Sequence, residues 1–346
     1  MAARTASGVA SRAELDLLRQ IRSRARVRDA VSLGIGDDCA LLRARLGEDI
    51  AVTTDLSIDG RHFRVAWHPP QSIGHRTLAR GLSDLAAMGA RPLAAFVSLG
   101  LPPALVRPAR HGASWMSRFY DGLLELADRF GVPLAGGDLA ESPLALADIV
   151  LVGAVPRGKA LLRSGANPGD GIYVTGALGS SAAGLARMAE RARSSRRAAS
   201  LRIPPSWAGL LQAHLYPQPR LPQGVWLRSR GIASAAIDLS DGLSTDLAHI
   251  CEESGVAAEL DASAIPLGPG AALEQALHGG EDYELLFTAA PKKRVPSRIG
   301  DGPGRAGIPV TRIGRVVRPR AGRPVLTLLT SSDSRSLAPH GWQHFS

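Results

Sequence analysis

Gly34-Ile35-Gly36-Asp37-Asp38-Cys39-Ala40-Leu41-Leu42 is the stretch from which the chain is best read. Two glycines let the backbone turn tightly, two adjacent carboxylates follow, and an apolar run carries the chain back inside. Adjacent aspartates repel each other and disfavour regular structure, so alone this segment reads as an Asx-type surface turn. It gains weight because the pattern recurs. Thr53-Thr54-Asp55, Ser83-Asp84, Gly136-Gly137-Asp138 and Asp238-Leu239-Ser240-Asp241-Gly242 each set an Asp beside Ser, Thr or Gly. Carboxylates converging from several segments would build a hard, oxygen-rich site of the kind Mg2+ prefers.

Working outward, apolar runs and helical spacings alternate around these turns, which predicts an α/β protein with mixed sheets. Residues 1–10 read as a disordered extension. Ser11-Arg12-Ala13-Glu14 matches a capping box ahead of a helix carrying Leu15, Leu18 and Ile21. A short strand, 50–54, is expected to end at Asp55, with Gly60-Arg61-His62-Phe63 in the loop after it. Helices are expected over 72–88, with Leu78, Leu82 and Leu85 on one face and Asp84 off it, and over 114–130, closed by Gly131. Strands are expected over 93–99 and 148–155. The turn-rich segment 156–169 suggests a boundary near 155, giving domains 11–155 and 156–346. Beyond it the spacing predicts strands at 171–175, 235–239, 257–260 and 285–288. Helices are expected from the Gly176–Ser181 turn through Ala192, over 243–254, and over 291–304. The stretch around Tyr216-Pro217-Gln218-Pro219-Arg220 reads as irregular, and no strict internal repeat is present.

At 346 residues the chain exceeds a usual single core, so two domains are the default. A formal charge of +10 brings nucleic-acid or membrane surfaces into consideration. Arg is scattered, however, with no basic stripe interleaved with aromatics, and the run from Arg191 to Arg202 reads as a solvated helix end or linker. Nucleic-acid and membrane partners are therefore not expected. Cys39 and Cys251 form no metal-type pair, no apolar run reaches the roughly 20 residues of a membrane span, and Met1 to Ala10 lack a signal-peptide core. A reducing cytoplasm is the expected location.

Several motifs are ambiguous singly. Gly176-Ala177-Leu178-Gly179-Ser180 could cradle a phosphate on backbone amides, or be a plain strand-to-helix turn; it is neither a Walker loop nor G-x-G-x-x-G. Asp238-Leu239-Ser240-Asp241-Gly242 supplies more acid than a helix cap needs. Glu281-Asp282 after Gly279-Gly280 repeats the Gly-Gly-acid form of Gly136-Gly137-Asp138. His62 could meet a phosphate or bond within its loop, and Trp342 could stack on a flat ring or cover the core edge. No Ser-His-Asp or Cys-His nucleophile stands out. An acid-rich, nucleophile-poor inventory suits phosphoryl transfer, where metal and positioning supply most of the catalysis.

Taken together, the chain resembles the thiamine-monophosphate kinase family of the aminoimidazole ribonucleotide synthetase superfamily. The likeness runs from Leu33 to Phe345. It rests on Gly34-Ile35-Gly36-Asp37-Asp38, Thr54-Asp55, Gly60-Arg61-His62-Phe63, Ser83-Asp84-Leu85-Ala86-Ala87-Met88-Gly89-Ala90, Gly136-Gly137-Asp138, Leu162-Arg163-Ser164-Gly165-Ala166, Ile237-Asp238-Leu239-Ser240-Asp241-Gly242 and Gly279-Gly280-Glu281-Asp282-Tyr283-Glu284-Leu285. The resemblance implies a two-domain α/β fold with mixed sheets flanked by helices, pairing as a homodimer. The implied activity is ATP-dependent conversion of thiamine monophosphate to thiamine diphosphate with several Mg2+ ions, the last step of thiamine diphosphate biosynthesis. Carried over by position, Asp38, Thr53, Thr54, Asp55, Asp84, Asp138, Asp238 and Asp241 would bind metal, with Asp55, Asp84 and Asp138 at the chemistry. Tyr120, Gly137, Asp138, Arg163 and Ser240 would contact the nucleotide; His62, Glu281 and Trp342 would hold thiamine. Arg61 adds a charge to the usual acidic-Gly-x-His-Phe segment, and neither the Arg191 to Arg202 run nor the extended N-terminus is assigned to a family feature.

Relatives in that superfamily fit less well. A selenophosphate synthetase would need a reactive Cys or selenocysteine with a Lys near the first glycine-rich segment, whereas Cys39 enters an apolar run. A hydrogenase-maturation carbamoyl dehydratase would end in Cys, and this chain ends in Ser346. Aminoimidazole ribonucleotide synthetase lacks the Gly-Gly-Glu-Asp-Tyr-Glu signature.

Overall fold

A computed structural model describes residues 20–25, 30–33, 35, 40–107, 113–194, 204–300 and 307–341. The capping box at 11–14, Asp37, Asp38, Cys39 and Trp342 lie outside them, as do residues 1–10 and 195–202 of the basic run. The chain divides into two compact units. The first comprises Met1–Leu46, Thr54–Leu78 and Pro92–Val152; the second comprises Gly47–Thr53, Ala79–Arg91 and Gly153–Ser346.

Strands β1 (Val31–Leu33) and β2 (Leu41–Leu42) form an antiparallel pair. A four-stranded sheet follows the order β3 (Glu48–Ile58), β6 (Leu146–Pro156), β4 (Arg91–Leu101), β5 (Leu134–Glu141). Edge strand β3 runs straight through Asp55 instead of stopping there, because the alternation that starts at Ile50 continues through Leu56. Likewise Gly136, Gly137 and Asp138 lie inside β5, paired in parallel with Phe96, Val97 and Ser98. A Cβ on Gly137 would stand 1.8 Å from the Val97 carbonyl oxygen, so close strand pairing requires this glycine.

Helix α1 (Pro70–Ala87) buries Ile73, Leu78, Leu82 and Leu85 at helical spacing. Helix α2 (Trp115–Phe130) begins where the Ser114 hydroxyl accepts the Ser117 N–H and ends at left-handed Gly131. In the first unit, glycines bring these two helices into backbone contact. A Cβ on Gly74 would lie 1.9 Å from the Phe119 carbonyl oxygen, and one on Gly122 the same distance from that of Gln71.

The second unit is built on a mixed sheet in the order β14 (Ser334–Ser336), β13 (Leu326–Leu329), β9 (Ala257–Asp261), β12 (Ile308–Val317), β7 (Gly171–Thr175), β10 (Leu285–Ala289), β8 (Ala235–Asp238), with β11 (Arg298–Ile299) paired to β12. Its core joins Ile172, Val174, Ile237, Leu286 and Ile313 to Leu243, Leu247 and Ile250 of a helix at Leu243–Ser254. In chain order the helices of this unit are α3 (Ser180–Ser194), α4 (Ala208–Leu215), α5 (Leu221–Ser229), α6 (Leu243–Ser254) and α7 (Leu273–His278).

One expected helix is not formed and two helices appear unannounced. Segment 291–304 holds no helix among its described residues; Pro296 falls inside it and Arg298–Ile299 is a strand. Helices α4 and α5 flank the irregular Tyr216–Arg220 segment and carry apolar residues around much of their surface, so no amphipathic stripe announces them. The mixed α/β class itself is borne out.

Candidate functional site

In the second unit, α1 places two consecutive polar residues. The Thr53 hydroxyl of β3 donates to Oδ2 of Asp84. Neighbouring Ser83, fully buried, donates to Oδ2 of Asp238 at 2.6 Å. Asp238 ends β8 and is 4% exposed. Thr53 is thus bonded to Asp84, and Asp238 to the next residue along the helix, Ser83. Burying such carboxylates is tolerable because each accepts hydrogen bonds.

The chain then turns through Leu239-Ser240-Asp241-Gly242 into α6. One buried oxygen, Oδ2 of Asp246, accepts the N–H groups of Ser240 (3.1 Å), Asp241 (3.2 Å) and Gly242 (3.0 Å). Burial, with Asp238 and Asp241 nearby, pushes the Asp246 carboxyl well above the usual carboxylate range. Asp246 escapes a sequence reading because an acid in a helix's first turn looks like ordinary dipole compensation.

Residues 279–284 lie against that turn. Glu281 donates its N–H to the Ser240 carbonyl (2.8 Å), Tyr283 to that of Leu239 (2.9 Å), and Leu239 returns one to Glu284 (2.8 Å). Glu281 (φ 58°) and Tyr283 (φ 52°) are both left-handed, a conformation costing about 1–2 kcal/mol per non-glycine residue. Strain of this kind persists only where the surroundings over-determine it. Buried Glu284 takes a two-pronged ion pair from Arg220, plus the Thr175 hydroxyl at 2.6 Å. Its carboxylate fills the place a Cβ of Gly176 would occupy, 2.0 Å from Oε1.

The Gly176–Ser181 turn is not an open phosphate cradle. Its amides already hold an internal anion: Asp282 accepts the N–H of Gly179 at 2.7 Å and of Ser181 at 3.3 Å. Burial raises the Asp282 carboxyl to about 7 despite these bonds.

In the first unit, Thr54 and Asp55 sit on β3, Thr54 exposed and Asp55 half-buried. His62 accepts the Ile58 N–H on Nδ1 (3.1 Å), which leaves the proton of the neutral ring on Nε2. Arg76 donates to the His62 carbonyl at 3.3 Å. Tyr120 is buried on α2 against the edge of Phe119, and burial raises its phenol. Asp138 is exposed on β5, its Oδ1 accepting the Leu139 N–H. In the second unit Arg163 is exposed in a loop, its carbonyl bonded to the Ser254 hydroxyl, and Ser240, Asp241 and Glu281 are half-buried.

Among the described residues, no three His, Cys, Asp or Glu side chains stand close enough to hold an ion by themselves. Asp38 lies outside that set. The Asp84 carboxylate and the Thr53 hydroxyl bonded to it, and Asp238 bonded to the adjacent Ser83, are all hard oxygen donors, the type Mg2+ takes alongside phosphate oxygens and water. Cys251 is a free, buried thiol pushed by burial to about 12, hence unreactive.

This arrangement has known counterparts. Residues 36–155 match the family model described as AIR synthase related protein, N-terminal domain, and residues 167–326 match its C-terminal domain. Thiamine-monophosphate kinase of Salmonella typhimurium is 42% identical over 294 residues, covering 83% of this chain and 84% of that protein. The chain belongs to the thiamine-monophosphate kinase family. Within that family, the crystal structure from Stenotrophomonas maltophilia K279a is similar with a TM-score of 0.73 at 36% identity, over 92% of this chain and 96% of that one. AaThiL complexed with AMPPCP and TMP is similar with a TM-score of 0.70 at 27% identity, over 96% of both chains. No described helix is long and apolar enough to cross a membrane.

Proposed function

We propose that this protein transfers the γ-phosphoryl group of ATP to thiamine monophosphate, forming thiamine diphosphate in a Mg2+-dependent, direct in-line reaction. The observation that carries the reading is the similarity along nearly the whole chain to a structure holding AMPPCP and TMP. The grouping of Thr53, Asp84 and Asp238 supports it with a hard-oxygen donor set.

The acceptor is itself a phosphate oxygen, ionised at neutral pH, so no strong general base is required; positioning and charge neutralisation carry the barrier. Asp38, Thr53, Thr54, Asp55, Asp84, Asp138, Asp238 and Asp241 would hold Mg2+, which offsets repulsion between two polyanions when bound. Asp55, Asp84 and Asp138 serve the transfer itself by fixing the two phosphate groups in line. Tyr120, Gly137, Asp138, Arg163 and Ser240 orient the nucleotide, with the Ser240 backbone fixed by Asp246. His62, Glu281 and Trp342 hold the thiamine portion, His62 presenting Nε2–H as a donor.

In this reading residues 11–155 form the nucleotide- and metal-binding domain that also makes a homodimer, residues 156–346 complete the enzyme, and it works in a reducing cytoplasm. Edge strand β3 supports pairing, because Ile50 (49%), Val52 (61%) and Leu56 (47%) expose an apolar face that a second copy would cover. The direct test incubates the purified protein and ATP-Mg2+ with thiamine monophosphate, or with free thiamine, and separates the products. Thiamine diphosphate arising from the monophosphate is expected. Product arising from free thiamine alone would overturn the proposal.

A further inference from the structure

The strained 279–284 segment is fixed by groups the kinase reading leaves unused. On one side of Glu281, the Asp282 carboxylate is seated on the N–H groups of Gly179 and Ser181 at the start of α3. On the other, His214 of α4, 1% exposed, brings Nδ1 to 3.0 Å from the Ser181 hydroxyl and 3.7 Å from Oε2 of Glu281. Ser181 is common to both contacts: its N–H meets Asp282 and its hydroxyl meets His214. Glu281 is therefore flanked in sequence and in space by groups anchored to one helix start.

That anchoring answers a specific need. A left-handed glutamate relaxes unless held, and relaxation would swing its carboxylate away from wherever the native φ of 58° directs it. The backbone bond from Glu281 to the Ser240 carbonyl fixes the position of the residue. It does not fix the carboxylate. The clamped next residue fixes the backbone beside it, and the buried His214 ring, held by Ser181, stands 3.7 Å from Oε2 and limits where the carboxylate can go; a helix start occupied by Asp282 is removed from any role in binding phosphate.

Resting on the function proposed above, we propose that Asp282, His214 and Ser181 are positioning residues that aim the Glu281 carboxylate at the thiamine portion of the acceptor, and so set acceptor affinity without touching the nucleotide. The test is a set of double-mutant cycles in the full-length protein with KM measured separately for both substrates. Asp282→Asn and His214→Gln should each raise the acceptor KM about tenfold while leaving the ATP KM within about twofold. Combined with Glu281→Gln, neither should add to the effect of Glu281→Gln alone, because the group they act through is already altered. Ser181→Ala, which keeps the N–H and removes only the hydroxyl, serves as the milder variant should a buried substitution impair folding; about a threefold rise in acceptor KM is expected. Effects that add to Glu281→Gln, or that move both KM values together, would overturn the assignment. An inactive wild-type protein would instead sink the kinase reading.

Discussion

Gly136-Gly137-Asp138 and Gly279-Gly280-Glu281 have the same form in the sequence and opposite structures. The first lies within a strand, and its second glycine is demanded by the Val97 carbonyl of the neighbouring strand. Asp138 emerges exposed from a rigid sheet edge. The second is an irregular loop in which Gly280 (φ 58°) is followed by left-handed Glu281 and Tyr283. There the segment is held by backbone bonds to Leu239 and Ser240 together with side-chain anchors on Asp282 and Glu284, outside any strand. The same dipeptide thus serves sheet pairing in one place and backbone reversal in the other. The consequences of mutation should differ accordingly.

The largest effect should come from Gly137→Ala. A methyl group driven to 1.8 Å from a backbone oxygen, at φ 147°, has no flexible neighbour to displace, and a loss of about 4 kcal/mol is expected by urea unfolding. A near-native midpoint would show that β5 can slide on β4. Arg220→Ala comes next, at about 3 kcal/mol, because it leaves Glu284, 4% exposed, without its cation. Gly280→Ala should cost less, about 2 kcal/mol, since its Cβ would stand 2.6 Å from the Ser240 carbonyl oxygen, a milder clash than the 1.8 Å at Gly137. If Gly280→Ala proved the more damaging of the two glycine changes, the contrast between the motifs would collapse.

A further expected effect, comparable in size to those of Arg220→Ala and Gly280→Ala, is one of pH. Folding raises the Asp282 carboxyl from 3.8 to about 7, so the native state favours its protonated form. Its contribution to stability is present below pH 4 and declines as pH rises through about 7. Between about pH 5 and about pH 8, wild-type protein should lose stability that Asp282→Asn does not lose. Identical pH slopes for both proteins would remove Asp282 from the account.

Much of the fold was legible where local signals and burial agree. Helix α2 announced itself by Ser114 and Gly131, α6 by its strand-turn-helix frame, and β7 by an unbroken apolar run. Where several rules compete, reading fails. Pro296 outweighs helical propensity, and in β3 the alternation through Leu56 outweighs the turn signal of Asp55. For the site, Asp84 and Asp238 were readable as acids beside hydroxyl groups, and the structure bonds them to Thr53 and to Ser83 within one unit. Asp246, His214 and Arg220 were not, because their significance lies in which backbone amide or carboxylate each meets across the fold. No spacing rule along the chain encodes an approach between residues 214 and 281, or an ion pair between 220 and 284.

The central claim, that hard-oxygen donors centred on Asp84 serve transfer to a phosphate acceptor, is tested most directly by comparing wild type with Asp84→Asn in a coupled ADP assay with thiamine monophosphate. The substitution preserves volume and can still accept from the Thr53 hydroxyl, so the fold should survive. The account predicts ADP release by the wild type that depends on Mg2+ and on the acceptor, and a loss of about a thousandfold or more in the variant with an unchanged circular dichroism spectrum. Turnover by Asp84→Asn at the wild-type rate would contradict it.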